Sequence, residues 1–225
     1  MKNKLSLAIA GLGTVGAGTL QLLETHRDLL SARCGRAIEV VAVSARDRSR
    51  DRGVSLEGYK WFDDPVDMAR DCGADVVVEL IGGSEGPARD VCDAAIAAGR
   101  HVVTANKALV ALHGSDLAAR AEAATVTLAF EAAVAGGIPV IKALREGLAG
   151  NGVSSLHGIL NGTCNYILTT MRETGRPFED VLAEAQTLGY AEADPSFDID
   201  GVDAAHKLAI LTSVAFGCDV DFDGV

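Results

Sequence analysis

LSLAIAGLGTVG, Leu5 to Gly16, joins a short apolar run to three glycines in G-x-G-x-x-G spacing. The bare pattern is common. It becomes informative where it follows a predicted buried strand and opens a predicted helix, as here. Gly11 then permits a tight turn, Gly13 lets backbone approach a pyrophosphate, and Gly16 lets helix pack on strand. The helix opening at Thr14 and Val15 offers N–H groups and partial positive charge to such an anion. Lys2 and Lys4 ahead of the run imitate a signal peptide, but the run is short and cut by Gly11 and Gly13, so it reads as a first strand.

Outward from this stretch, strand and helix patterns alternate up to residue 131. LSLAIAG, AIEVVAVSA, ADVVVELI, HVVTA and TVTLAFEA are short, apolar and rich in β-branched residues, as buried parallel strands are. TVGAGTLQLLETHRDLL, DPVDMARD, GPARDVCDAAIAAG and KALVALHGSDLAARAEAA carry helical patterns between them. The alternation predicts an α/β fold, a doubly wound, Rossmann-like parallel sheet, over residues 1–131. After Glu131 the rhythm changes. AVAGGIP is a glycine-rich break, and Pro139 opens the helical pattern VIKALREGLAG. A strand-like VSSLHGIL, the helices YILTTMRETG and PFEDVLAEAQTLGY, an acidic loop and a last apolar helix complete a second, smaller α+β domain, residues 132–225. That domain owns only one or two evident strands, and the chain stops at FDGV directly after its last helix. A sheet so small seldom stands alone, so the domain is expected to be incomplete at its C-terminus and to pair as a homodimer.

The bulk numbers exclude several classes of function. At 225 residues, with 48% apolar and 23% charged residues, the chain is an ordinary globular one. Its net charge of −11 repels phosphate backbones, which argues against nucleic acid as a partner. No segment is long and apolar enough to span a bilayer as a helix. Five cysteines, an odd number without a CxxC pair, suit reduced thiols in a cytoplasm.

The tip of the second strand chooses between NAD and NADP. An acid there would accept from the ribose 2′-hydroxyl, whereas an arginine would pair with a 2′-phosphate. The sequence reads VSARDRSRDRG, with Ser44 and Ala45 in the acid's place and Arg46, Arg48 and Arg50 following. This favours NADP, with Arg46 as the contact; Asp47 keeps NAD as the alternative. In TANK, Thr104 to Lys107, the lysine follows the fourth predicted strand, whose carboxyl end faces the ligand crevice of such a sheet.

EADPSFDIDGVDAAHK, Glu192 to Lys207, places Glu192, Asp194, Asp198, Asp200 and Asp203 ahead of an apolar helix. Part of this is plain helix chemistry. Asp200 can cap the helix, and Asp203 and Lys207 stand four apart as a stabilising pair. Neither explains why Lys207 shares a helical face with Ile210, Leu211 and Val214, nor why Glu192 sits among turn residues. A carboxylate such as Glu192 is a natural partner for a substrate ammonium. A lysine held between apolar neighbours and an acid suits taking the proton of a hydroxyl whose carbon loses hydride, or returning it to a carbonyl oxygen whose carbon gains hydride.

Together GLGTVG, VELIGG, TANK, FEAAVAGGIP, ILNGTCNYIL and GYAEADPSFDIDGVDAAHKLAIL resemble the motifs of homoserine dehydrogenase, from residue 5 to the last residue. The resemblance implies interconversion of L-homoserine and L-aspartate 4-semialdehyde with a nicotinamide cofactor, and so a place in amino-acid biosynthesis. It implies Lys207 as proton donor, Asp203 as its orienting neighbour, Glu192 and Asp198 as substrate ligands, and Lys107 as a cofactor or substrate contact. It also implies a monovalent cation on the backbone carbonyls of Glu131, Val134, Gly136 and Ile138. Members of that family continue well past the length of this chain. On the residues alone, two other readings stay open: another amino-acid dehydrogenase of this architecture, or a nucleotide-binding, dimerising fragment without turnover. Cys164, near a predicted helix start, reads as a structural cysteine because no histidine adjoins it. His157 and His206 read as packing or surface residues because no spaced set of metal ligands accompanies them.

Overall fold

A computed structural model describes residues 4–225, which separate into two compact units divided between Gly137 and Ile138. In the first unit, strand β1 (Lys4–Ala10) leads through the glycine-rich turn into α1 (Thr14–Thr25) and α2 (Arg27–Cys34). Then follow β2 (Ala37–Ser44), β3 (Lys60–Phe62), α3 (Pro65–Asp71), β4 (Val76–Glu79), α4 (Pro87–Ala97), β5 (His101–Thr104), α5 (Lys107–Ala123) and β6 (Leu128–Ala129). The strands form one sheet in the order β3-β2-β1-β4-β5-β6, and every adjacent pair is parallel. Strand order reverses between β1 and β4, the place where sheets of this kind open a crevice for ligands.

Alternation along the strands feeds two apolar layers. Leu7, Ile9, Val43, Val76 and Val78 pack with Leu20 of α1 on one face. Ala8, Ala10, Ala42 and Val77 turn to the other, where Met68, Val91, Ala95, Leu109 and Leu117 cover them. The small alanines there let α3, α4 and α5 settle close to the sheet. Register then lines up the strand ends: Ser44 pairs with Ala10, Ala10 with Glu79, and Glu79 with Thr104. One row across the sheet thus carries a hydroxyl, a glycine turn, a carboxylate and a second hydroxyl to the mouth of the crevice.

Local chemistry sets the helix ends. The Asp64 carboxylate accepts from the Val66 and Asp67 amides at the start of α3, and Asn106 caps α5 through the Leu109 amide. The helix expected to run unbroken through Leu30 is interrupted at His26, whose φ of −109° and ψ of 23° leave the helical region. Strand β3 escaped the sequence reading because three residues give too short a period to detect.

The second unit contains α6 (Val140–Lys142), continued by a π-helical turn Ala143–Gly147, then α7 (Gly162–Thr174), α8 (Phe178–Thr187), α9 (Ser196–Ile199) and α10 (Val202–Phe216). Ile167 of α7 packs on Val181 and Ala185 of α8 and on Ala191, and Ile141 of α6 and Ala209, Ile210 and Leu211 of α10 are buried as well. VSSLHGIL, expected to be a strand, joins no sheet among the described residues, because no second strand of the unit lies beside it. Asp200 does not cap α10 either. It ends α9, and Gly201, at φ 80°, begins the next helix.

Space at the first turn decides whether the sheet can close on α1. A methyl group on Gly16 would lie 2.0 Å from the Gly11 carbonyl oxygen, whereas one on Gly18, two residues along the same helix, meets nothing within 4 Å. Gly16→Ala is therefore expected to cost at least about 2 kcal/mol in urea unfolding. Gly18→Ala should be neutral or stabilise by up to about 1 kcal/mol. Equal effects of the two would remove the steric account.

Candidate functional site

The first unit brings most of the expected nucleotide residues together. Gly11 takes φ 97°, donates its N–H to Ser44 O at 2.9 Å, and leaves 2.5 Å between an added Cβ and Leu80 O. Gly13 differs, since a Cβ there would enter open space, the room a phosphate would use. It is also the N-cap of α1, where no side chain caps the helix and no acid stands in the first turn. The amides at Thr14 and Val15 are thus left for an outside acceptor. A cavity of about 360 Å³ adjoins this turn, lined among others by Gly11, Gly13, Ser44, Arg46 and Arg50. These residues fit a dinucleotide.

At the tip of β2, Asp47 is committed within its own loop. Its carboxylate accepts from the Ser49 amide at 2.8 Å and hydroxyl at 2.6 Å, and those bonds hold it below the usual aspartate range. Arg46 is exposed and lines the cavity.

Two polar groups the sequence reading missed hold the crevice mouth. Glu79 is fully buried, yet its carboxylate accepts from the Ile81 amide at 2.7 Å, the Gly82 amide at 3.1 Å and the Thr104 hydroxyl. Three donors replace the water it has lost. The Asn106 amide N–H donates to Thr104 Oγ1 at 3.0 Å, and its side chain donates to Gly83 O at 2.6 Å. VELIGG and TANK are thereby sewn together, and Lys107 starts α5 half-buried beside the seam. The one signal available was a lone acid closing the apolar run VVVE.

The second unit assembles Asp198, Asp203 and Lys207 around a residue that was also missed, Asn161. Its Oδ1 accepts from the Cys164 amide at 2.8 Å, which caps α7 and fixes which end of the side chain is the donor. Nδ2 then donates to Asp198 Oδ1 and Asp203 Oδ2, both at 2.8 Å. Asp203 is 4% exposed. Lys207, its side chain 20% exposed, donates from Nζ to Asp203 Oδ2 at 2.6 Å and to Leu160 O at 2.7 Å. Asn before Gly-Thr at a helix start signals a cap. Nothing local signals the carboxylates it reaches.

Glu192 follows α8 with an exposed side chain, outside this hydrogen-bonded cluster; its carbonyl accepts from Gln186 Nε2 at 3.1 Å. The Cys164 thiol donates to Asp198 O at 3.2 Å, and burial, then the charges of Asp198 and Asp203, push its pKa up. It is a packing thiol, not an activated one. Glu131 opens a 3₁₀ turn, Val134 is buried, and Gly136 and Ile138 are exposed, with the Ile138 carbonyl accepting from the Val140 amide at 2.8 Å. Among the described residues no three His, Cys, Asp or Glu side chains gather as a metal site, and no helix is long and apolar enough to cross a membrane.

A glycine turn, an uncapped helix start and a crevice at the strand reversal have the form of a doubly wound α/β dinucleotide-binding domain. The family model described as homoserine dehydrogenase, NAD binding domain, matches residues 11–131, and the model described as homoserine dehydrogenase matches residues 139–225. The chain belongs to the homoserine dehydrogenase family. It is 54% identical over 219 residues to the homoserine dehydrogenase of Pseudomonas aeruginosa, covering 96% of this chain and 49% of that one. With the enzyme of Corynebacterium glutamicum it shares 50% over 220 residues, covering 97% and 49%. The crystal structure of a homoserine dehydrogenase from Thiobacillus denitrificans superposes with TM-score 0.90 at 52% identity, over 98% of this chain and 51% of that one. A hyperthermophilic archaeal homoserine dehydrogenase in complex with NADPH gives TM-score 0.82 at 27% identity, over 96% and 71%. The chain spans about half the length of the curated relatives it matches.

Asn161 offers a direct test of the cluster. Asn161→Ala removes a helix cap and the donor shared by two carboxylates, a loss of about 1–3 kcal/mol. Asn161→Asp keeps the cap but sets a third carboxylate against Asp198 and Asp203. Repulsion favours proton uptake by the folded form, so the Asp variant should regain stability relative to the parent as pH falls through the carboxylate range. Melting temperatures at neutral and mildly acid pH check this; a deficit independent of pH would contradict it.

Proposed function

We propose that this chain carries the cofactor site and the proton-transfer lysine of a homoserine dehydrogenase, interconverting L-homoserine and L-aspartate 4-semialdehyde with NADP(H). The observation that carries the reading is the environment of Lys207: mostly buried, and bonded at once to Asp203 and to the Leu160 carbonyl. Those two acceptors take two of the three N–H donors an ammonium carries and leave one for a substrate oxygen. A bound nicotinamide supplies or accepts the hydride. As the aldehyde carbon gains hydride, its oxygen becomes an alkoxide and takes a proton from Lys207 Nζ. In the reverse direction Nζ accepts the hydroxyl proton. Asp203 keeps the lysine placed, and Asn161 keeps Asp203 placed. The exposed carboxylate of Glu192, with Asp198, is assigned to the substrate ammonium. Lys107, at the crevice mouth, is assigned to the cofactor or substrate. Carbonyls of Glu131, Val134, Gly136 and Ile138 are assigned to a monovalent cation, which takes no part in the steps above.

NADP is the proposed preference, because Arg46 lines the cavity while Asp47 is occupied by Ser49. A homodimer is proposed through the second unit, where Ile159, Leu168, Leu188 and Phe216 are exposed apolar side chains. A cytoplasmic setting is proposed from the five free cysteines.

NADPH oxidation with L-aspartate 4-semialdehyde tests the reaction. Lys207→Ala is expected to lower kcat about 10²–10⁴-fold while dinucleotide affinity stays the same. An unimpaired kcat would remove Lys207 from the mechanism. Calorimetry with both dinucleotides tests the preference: Arg46→Ala should erase about 1.5–3 kcal/mol of discrimination toward NADP. Equal affinities in the unchanged chain would overturn the assignment.

A further inference from the structure

We propose that Arg52 sets cofactor specificity as a positioning residue: it latches the 46–52 loop onto the glycine-rich turn and so fixes where Arg46 and Arg50 stand. The proposal rests on the dinucleotide reading above. Arg52 Nε donates to Leu12 O at 3.1 Å, Nη1 to Arg50 O at 2.7 Å, and Nη2 to Asp47 O. One guanidinium therefore joins the turn between Gly11 and Gly13 to two points of a loop that is 40 residues away in sequence. The bonds run to backbone carbonyls, so they locate the chain itself and not a mobile side-chain end. On its other side the group lies 6.0 Å from the centre of the Trp61 ring, beside Arg48 at 5.7 Å, and Trp61 Nε1 is anchored on Asp63 at 2.8 Å.

A planar fork with five N–H donors can hold three carbonyls in different directions; an ammonium on a flexible stem cannot hold the same set. With the carbonyls of Asp47 and Arg50 drawn toward Arg52, the side chains of Arg46 and Arg50 are left along the cavity that Gly11 and Gly13 also line. A 2′-phosphate is read by charge and by place. Arg46 supplies the charge, and Arg52 determines the distance between that charge and the pyrophosphate turn. The competing view is that Arg52, which also borders the cavity, contributes only its positive charge.

Arg52→Lys separates the two, because it keeps the charge and loses the fork. Arg52→Lys and Arg52→Ala, made in the whole chain, are each expected to reduce the NADP-to-NAD affinity ratio about tenfold, the size of one displaced charge-assisted hydrogen bond. In the absence of any dinucleotide, both should speed hydrogen exchange of the amides in residues 46–52. They should also alter the emission of Trp61, the single tryptophan of the chain. Exchange that is unchanged in Arg52→Ala overturns the latch. An Arg52→Lys ratio equal to the parent's overturns the positioning role in favour of simple charge. A parent chain that binds neither dinucleotide sinks the underlying cofactor reading and the specificity role with it, a result distinct from a parent that prefers NADP and an Arg52→Lys variant that keeps that preference.

Discussion

The first unit depends on one backbone contact, the approach of Gly11 to the end of β4. The Gly11 amide bonds to Ser44 O at 2.9 Å, and the Leu80 amide to Ala10 O at 2.7 Å, so three neighbouring strands meet within one turn. A Cβ on Gly11 would stand 2.5 Å from Leu80 O, which means that any side chain would push β1 and β4 apart at their carboxyl ends. The crevice opens just beyond those paired strand ends, where the chain leaves β1 for α1 on one face of the sheet and leaves β4 for α4 on the other. Because the contact is made, the row of Ser44, Ala10, Glu79 and Thr104 is level, and loops leaving each strand begin at one height. Lys107, the Arg46 loop and the uncapped start of α1 all inherit their places from that row.

Burial at this row is costly unless every polar group is bonded. Glu79 meets the demand by accepting from the Ile81 and Gly82 amides and the Thr104 hydroxyl, whereas Ser44 Oγ in the same row is buried with no hydrogen-bond partner among the described residues. The same chemistry recurs in the second unit, where the Asn161 side chain supplies donors to Asp198 and Asp203 while its oxygen caps α7. In both places a polar side chain outside the proposed proton transfer holds its neighbours in place. Asp203 in turn accepts from Lys207 Nζ through the same Oδ2 that Asn161 reaches.

Much of this was legible before the structure, and the boundary of legibility has a physical form. GLGTVG, the short apolar, β-branched runs of β1, β2, β4 and β5, and the acidic approach to Lys207 are local patterns, written within a few residues. What escaped are pairings between segments: Asn161 with Asp198 and Asp203, 37 and 42 residues apart, Glu79 with Thr104, 25 apart, and Arg52 with Leu12, 40 apart. No periodicity encodes such pairs, because each partner taken alone is an ordinary polar residue. VSSLHGIL failed in the opposite sense. Its local pattern is strand-like, but a strand exists only where another offers a ladder, and the second unit offers none among the described residues.

Charge distribution ties the two units to one physical argument. The chain as a whole carries −11, which by itself would drive away a polyphosphate ligand. Between residues 46 and 52, however, four arginines face two aspartates, and Asp47 is tied up by Ser49. At physiological ionic strength charges beyond about 8 Å are screened, so an incoming dinucleotide experiences this loop and the start of α1 far more than the distant acids. In the proposed function, the acids gathered from Glu192 to Asp203 are assigned at equally short range to a different ligand class, one that carries an ammonium. A strongly acidic chain can therefore hold an anionic cofactor and a cationic substrate group, provided each charge is presented within a few ångströms of its partner. That condition makes the positioning residues, Arg52 on one side and Asn161 on the other, as consequential as the charges they place.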